Sequence, residues 1–188
     1  MKISKITILT GILLFFSLTI LAQNEFSVKE KNEIERYEQL IEKYKQQNNK
    51  RLQAQYLNKL AYIYWKKYKN NKALSYFEQS IALNKAINNA NALYTLHNNS
   101  GMIYTDLEQD QKALDMFQES LKYAEKMKSK ERSADAHKNI ATKLKQLGKY
   151  DRAIDHYKKS LRLANELNDM RRIRTCYAGL AETYEKLG

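Results

Sequence analysis

The chain has 188 residues, no Pro, 5 Gly, one Cys, 29% charged residues and a formal net charge of +12. So few helix breakers, with abundant Lys, Glu, Gln, Leu and Ala, favour helix almost throughout, and a single cysteine, Cys176, excludes an intrachain disulfide. The basic surplus would suit nucleic acid, anionic lipid or acidic peptides; the plainer account is compositional, because Lys, Asn, Ile and Tyr share A/T-rich codons.

The first element is distinct in kind. "MKISK" carries two positive charges, Ile6 to Ala22 carries none, and a polar stretch follows. A basic start, an apolar run and a small residue describe a secretory signal peptide. Residues 1–22 are therefore expected to be removed after Ala22, leaving a periplasmic or extracellular chain. Lys2 and Lys5 leave with them, and the net charge falls from +12 to +10. The rival reading is an uncleaved anchor, for which seventeen uncharged residues are at the short end of a bilayer span. Membrane contact is expected only in that case, or if the chain continues into a transmembrane helix. Export also argues against a nucleic-acid partner.

Residues 23–48 read as one helix. Ser27 and Glu30 make a capping box, and Tyr37 and Ile41 stand 40 positions before Phe77 and Ile81. Glu33 occupies the place of the small Ala73, so a polar capping helix, half a repeat, is expected.

From there the chain superposes on itself at a shift of 40 without insertion. Ala61, Gly101, Ala141 and Ala181 align, as do Ala73, Ala113 and Ala153, then Phe77, Phe117 and Tyr157, then Ser80, Ser120 and Ser160. A fixed period in this range means a solenoid of stacked supersecondary units. Within each unit the apolar positions follow i, i+4, i+7 and i+8, the spacing of one helix face. Asn49, Asn89, Ser129 and Asp169 are N-cap residue types 40 apart. The units are thus 49–88, 89–128 and 129–168, each a helix A, a short turn and a helix B. Small residues at 61 and 73, 101 and 113, and 141 and 153 would let paired helices approach closely, and the aromatics would fill the space between units.

Residues 169–188 form the first helix of an incomplete fourth unit. Leu180, Ala181, Tyr184 and Leu187 lack a helix B, whereas terminal units present a polar outer face. The expectation is that the natural protein continues past 188, or that another chain covers this end, self-association included.

The pattern resembles the tetratricopeptide repeat family. "NIATKLKQLGKYDRAIDHYKKSLRLA" carries it best, with Ala141, Leu144, Leu147, Gly148, Tyr150, Ala153, Tyr157 and Ser160 in place. Unit 2 has Glu108, and unit 1 Tyr68, at the Gly position. The absent Pro and the period of 40 resemble the long-helix variety, as in kinesin light chain-like repeats. The resemblance implies an all-α right-handed solenoid of about eight helices, with helix A of each unit lining a concave, protein- or peptide-binding surface.

It also implies the binding positions, those of helix A off the core stripe. Asn99 and Asn139 are expected to clamp a peptide backbone, an amide offering both donor and acceptor, with Asn98 beside them; bridging neighbouring helices is the alternative. Lys138 and Lys145 would read acidic groups, and Tyr62, Trp65 and Met102 would supply apolar contacts. His97 and His137, 40 apart, are expected to pack with hydrogen-bonded rings, and His156 to face outward. Cys176 reads as a small core residue. No phosphate loop, zinc spacing or nucleophile–base arrangement stands out, so neither enzyme activity nor a cofactor or metal is expected. The function expected is an exported peptide-binding scaffold. The alternative is the sensory region of a membrane-bound histidine kinase or helix-turn-helix regulator whose output domain lies beyond residue 188.

Overall fold

The computed structural model describes residues 25–188, so the segment expected to be a signal peptide lies outside the described residues. Eight helices follow one another among the described residues: α1 (Val28–Gln46), α2 (Lys50–Lys66), α3 (Asn70–Ala86), α4 (Ala90–Asp106), α5 (Asp110–Lys126), α6 (Lys130–Gln146), α7 (Tyr150–Glu166) and α8 (Met170–Leu187). The architecture is an all-α solenoid in which each helix packs on the next.

Three residues separate each helix from its successor, and the middle one has positive φ every time: Asn48, Tyr68, Asn88, Glu108, Lys128, Gly148 and Asn168. This left-handed residue turns the chain back, and the following N–H closes the old helix. Asn49 donates to the Tyr44 carbonyl at 2.8 Å, Lys69 to Tyr64 at 3.0 Å, and Gln109 to Tyr104 at 2.9 Å. These are the 6→1 bonds of a Schellman motif, which satisfy carbonyls left free at a helix end. The next helix then starts in one of two ways. Asn49, Asn89, Ser129 and Asp169 cap α2, α4, α6 and α8 with their side chains. Lys69, Gln109 and Lys149, inside the units, give no side-chain cap. Asn70 and Asp110, the residues that follow, are already helical.

The repeated small and aromatic residues face inward. Ala73, Ala113 and Ala153 are 0% exposed, and Phe77, Phe117 and Tyr157 are buried with them. The aromatics pack within units as well as between them. The Phe117 ring lies against Gly101 of its own unit, and Tyr157 meets Thr142 of its own unit and Gly179 of the next. The repeated serine does more than save space. Ser80 Oγ donates to the Ala54 carbonyl at 2.9 Å and Ser160 Oγ to the Ala134 carbonyl at 2.8 Å, tying helix B to helix A.

At the start of the array, Ser27 N–H donates to Glu30 Oε2 at 2.8 Å and Glu30 N–H to Ser27 Oγ at 3.2 Å, a capping box. α1 covers the first core with Ile34, Tyr37 and Ile41, joined by Phe26 just before the helix, none of them fully buried.

An exposed Tyr68 in left-handed conformation carries a steric cost that Gly does not. Tyr68→Gly is expected to stabilise the fold by about 1 kcal/mol, read as a higher urea midpoint at unchanged slope. Ala113→Trp, by contrast, has no room at a fully buried position and should destabilise the fold by about 2 kcal/mol or more, read as a lower urea midpoint.

Candidate functional site

Helices α2, α4, α6 and α8, the first of each unit, meet along one face. Their bonds join residues about one repeat apart. Asn99 Nδ2 donates to Tyr62 Oη, and Asn139 Nδ2 donates to Asn98 Oδ1 at 2.7 Å. Lys145 pairs with Glu182, and Arg172 with Asp135 at 2.9 Å.

Asn98, Met102, Lys138 and Asn139 come together, lining one cavity of about 410 Å³ between α4, α6 and α8. Tyr94, Asp135, Arg171 and Arg172 complete its polar wall. A second, mostly apolar slot of about 180 Å³ adjoins it and shares Met102 and Asn139; Thr105, Phe117 and Thr142 form its sides. The homologous space two repeats earlier, about 240 Å³, is lined by Asn58, Asn84, Asn89, Asn91 and Thr95.

The other expected binding residues lie elsewhere. Asn99 is buried and bonded to Tyr62. Tyr62 and Trp65 pack on each other at 5.8 Å between ring centres, and both contact Phe77, at 5.6 and 6.3 Å. They therefore brace the first unit's core. Lys145 stands in a separate cavity with Tyr150 and Glu185, where the hydrogen bond it donates to Glu182 raises its pKa and lowers that of Glu182.

Arg172 was not singled out by the sequence, yet it organises the charged end of the cavity. Its guanidinium contacts Asp135 and Glu131 on α6 and Asp169 at its own N-cap. The Asp135 hydrogen bond, then that of Asp169, outweigh its partial burial and raise its pKa. Offsets of 37 and 41 residues between opposite charges were the available signal. Tyr94 was missed too. Burial, then the Asp135 charge, push its phenol up to about 12, with the Arg132 guanidinium 5.0 Å from its ring centre opposing them.

His137 is buried with a hydrogen-bonded ring, as expected, whereas His97 and His156 depart from expectation. His97 is buried, and neither ring nitrogen has a hydrogen-bond partner; its ring stacks on Tyr123 at 5.6 Å. His156 turns inward instead of outward, because its Nδ1 shares a hydrogen bond with His137 Nδ1 at 3.1 Å. Burial lowers the pKa of His97 and of His137 to about 4, helped by Lys85 near the first and by His156 and Lys159 near the second. Among the described residues no group of three or more His, Cys, Asp or Glu side chains could hold a metal. Cys176 is buried, its Sγ 3.2 Å from Ser160 Oγ.

Tetratricopeptide repeat models match residues 53–91 and 92–166, together more than half of the chain. The chain belongs to the tetratricopeptide repeat family. No curated protein matches it in sequence. Among solved structures, this repeat array is similar to BtubC (BKLC) from P. vanneervenii, with a TM-score of 0.67 and 18% identity over 74% of this chain and 58% of that one. It is similar to the apo form of RapI, with a TM-score of 0.75 and 17% identity over 82% of this chain and 43% of that one. It is similar also to a Podosopora anserina putative kinesin light chain with nearly identical TPR-like repeats, with a TM-score of 0.63 and 13% identity over 82% of this chain and 87% of that one. The array thus spans 58% and 43% of the length of the first two. At these identities the likeness is one of fold.

The histidines set a pH dependence. Folded His97 and His137 stay neutral down to about pH 4, whereas their ordinary value is 6.5. Between those values the unfolded chain binds more protons, so stability is full above about pH 7 and falls as pH drops through the window. Melting temperature is expected to fall from pH 7 to 4.5, and His97→Leu with His137→Leu, which copies Leu57 of unit 1, should flatten the profile.

Proposed function

We propose that this array is a protein-binding scaffold that holds an extended peptide segment along the face built by α2, α4, α6 and α8. It acts by complementarity on a preformed surface and carries out no chemistry on its ligand. We further place it in the long-helix, kinesin light chain-like variety, a reading supported by its period of 40 and by the likeness to the Podosopora anserina repeats. Export, with cleavage after Ala22, rests on the N-terminal sequence.

One observation carries the reading: the polar cavity and the apolar slot share a wall. In the cavity, Arg172 is compensated by three acids, while Lys138 and Arg171 have no ion pair among the described residues. Two free cations beside the Asn98–Asn139 amide pair suit an anionic group and a peptide backbone, since hydrogen bonds between charged partners are the strong ones. The slot beyond Met102 suits an aliphatic or aromatic side chain. The ligand is then a peptide with an acidic group close to a large apolar residue.

Selection from a displayed random-peptide library should enrich sequences that pair Asp or Glu with a nearby Leu, Ile, Phe or Trp. A selected peptide should bind Asn98→Ala with Asn139→Ala roughly tenfold more weakly, about 1.4 kcal/mol, and Lys138→Glu with Arg171→Glu more weakly still, with helicity unchanged. No enriched peptide, or one that binds the charge-reversed variant as well as the parent, would overturn the reading.

A further inference from the structure

α8 is a helix A by its register, but among the described residues no helix B packs on its core-type stripe; it rests on α7 and, lightly, on α6. In α2 the equivalent side chains, Leu57, Leu60, Ala61 and Tyr64, are 5% exposed or less beneath α3. In α8, Met170, Tyr177, Tyr184 and Leu187 are 65, 58, 48 and 48% exposed. The α1 end of the array is built differently. There Glu33 stands in the place of Ala73, and Val28 is the large apolar side chain left exposed. One end thus turns charge to water, as a terminal unit ordinarily does, and the other turns out an apolar strip.

The strip has a fixed spacing. Met170, Ile173, Tyr177, Leu180, Tyr184 and Leu187 follow one another at steps of 3, 4, 3, 4 and 3 residues, the spacing of a coiled-coil seam. It is also self-complementary when turned end for end. About a two-fold axis between Ala178 and Gly179, Met170 falls opposite Leu187, Ile173 opposite Tyr184, and Tyr177 opposite Leu180. The adjoining row, Arg174, Ala178, Ala181 and Glu185, is exposed and reverses onto itself in the same way: alanine meets alanine, and Arg174 meets Glu185. A parallel pair would set Arg174 against Arg174 and Glu185 against Glu185, and like charges across a contact cost free energy. Leu180 is already mostly covered by its own chain, and the small Ala178 and Ala181 beside it let a second helix come close there.

We infer that this face binds the same face of a second copy of the chain, α8 against α8 and antiparallel, in a two-fold dimer whose single patch is shared by both partners. The second α8 takes the place that α3, α5 and α7 take on the helices before them. An 18-residue helix is about 27 Å long, and two such faces bury roughly 1,000 Å², the small end of specific interfaces. The dimer is accordingly one that dissociates on dilution. α8 lends Arg171, Arg172, Thr175 and Cys176 to the candidate cavity, and none of these belongs to the strip, so pairing leaves a groove open on each copy. The interface follows from the residues of α8 and stands whether or not the ligand is a peptide.

Sedimentation velocity on the full chain, over a range of concentrations, tests it. The mass is expected to rise from one chain to two as concentration increases. Tyr177→Glu with Tyr184→Glu, both at exposed positions, should hold the chain monomeric at native helicity. Arg174→Glu should weaken the dimer roughly tenfold, because two-fold symmetry counts the change twice. Adding Glu185→Arg should restore it, a rescue that the antiparallel register gives and a parallel one does not. A chain that stays monomeric at every concentration would overturn the proposal and leave the face to a different partner. So would a dimer that survives the double glutamate variant, or a charge swap that restores nothing.

Discussion

A left-handed residue every twenty positions, from Asn48 to Asn168, sets the phase of the entire array. Each one ends a helix with the same pair of backbone bonds, and the next helix starts two residues on. Because all turns have one length, every helix presents its apolar stripe at one angle to the helix before it. The side-chain pattern can then repeat without drift. Only Gly148 and the terminal Gly188 meet this demand with glycine. Asn at 48, 88 and 168 is the next most tolerant choice, while Tyr68, Glu108 and Lys128 adopt the conformation at a steric cost.

The side chains translate that backbone rhythm into alternation. Helices at the start of a unit carry Asn, Ser or Asp caps, and those at its centre do not. One class faces its sisters along the groove, through bonds between residues 37 and 41 apart. The other class backs it with alanine, an aromatic and serine. The serine hydroxyl is satisfied by a helix A carbonyl, so a buried polar group becomes a tether instead of a cost. In unit 2 the Ser120 hydroxyl turns back instead to the Phe117 carbonyl of its own helix.

The charged end of the groove shows how context decides availability. Arg172, Lys138 and Arg171 share one cavity, yet only Arg172 is held by carboxylates from two helices. Lys138 and Arg171 have no ion pair among the described residues. Lys145, similar to Lys138 in sequence, is spent on Glu182.

The repeat, the helix pairs, the capping residues and the inward face were legible in the sequence because each depends on spacing along one chain, and helix geometry converts spacing into direction. Asn98, Met102, Lys138 and Asn139 could be placed on one surface for the same reason. The tertiary structure alone decided which polar groups meet. Asn99 turns to Tyr62, His156 turns in to His137, Arg172 gathers three acids, and Ser120 misses the carbonyl that Ser80 and Ser160 reach. Those outcomes depend on ångström-scale distances between helices, and no periodicity in the sequence encodes a distance.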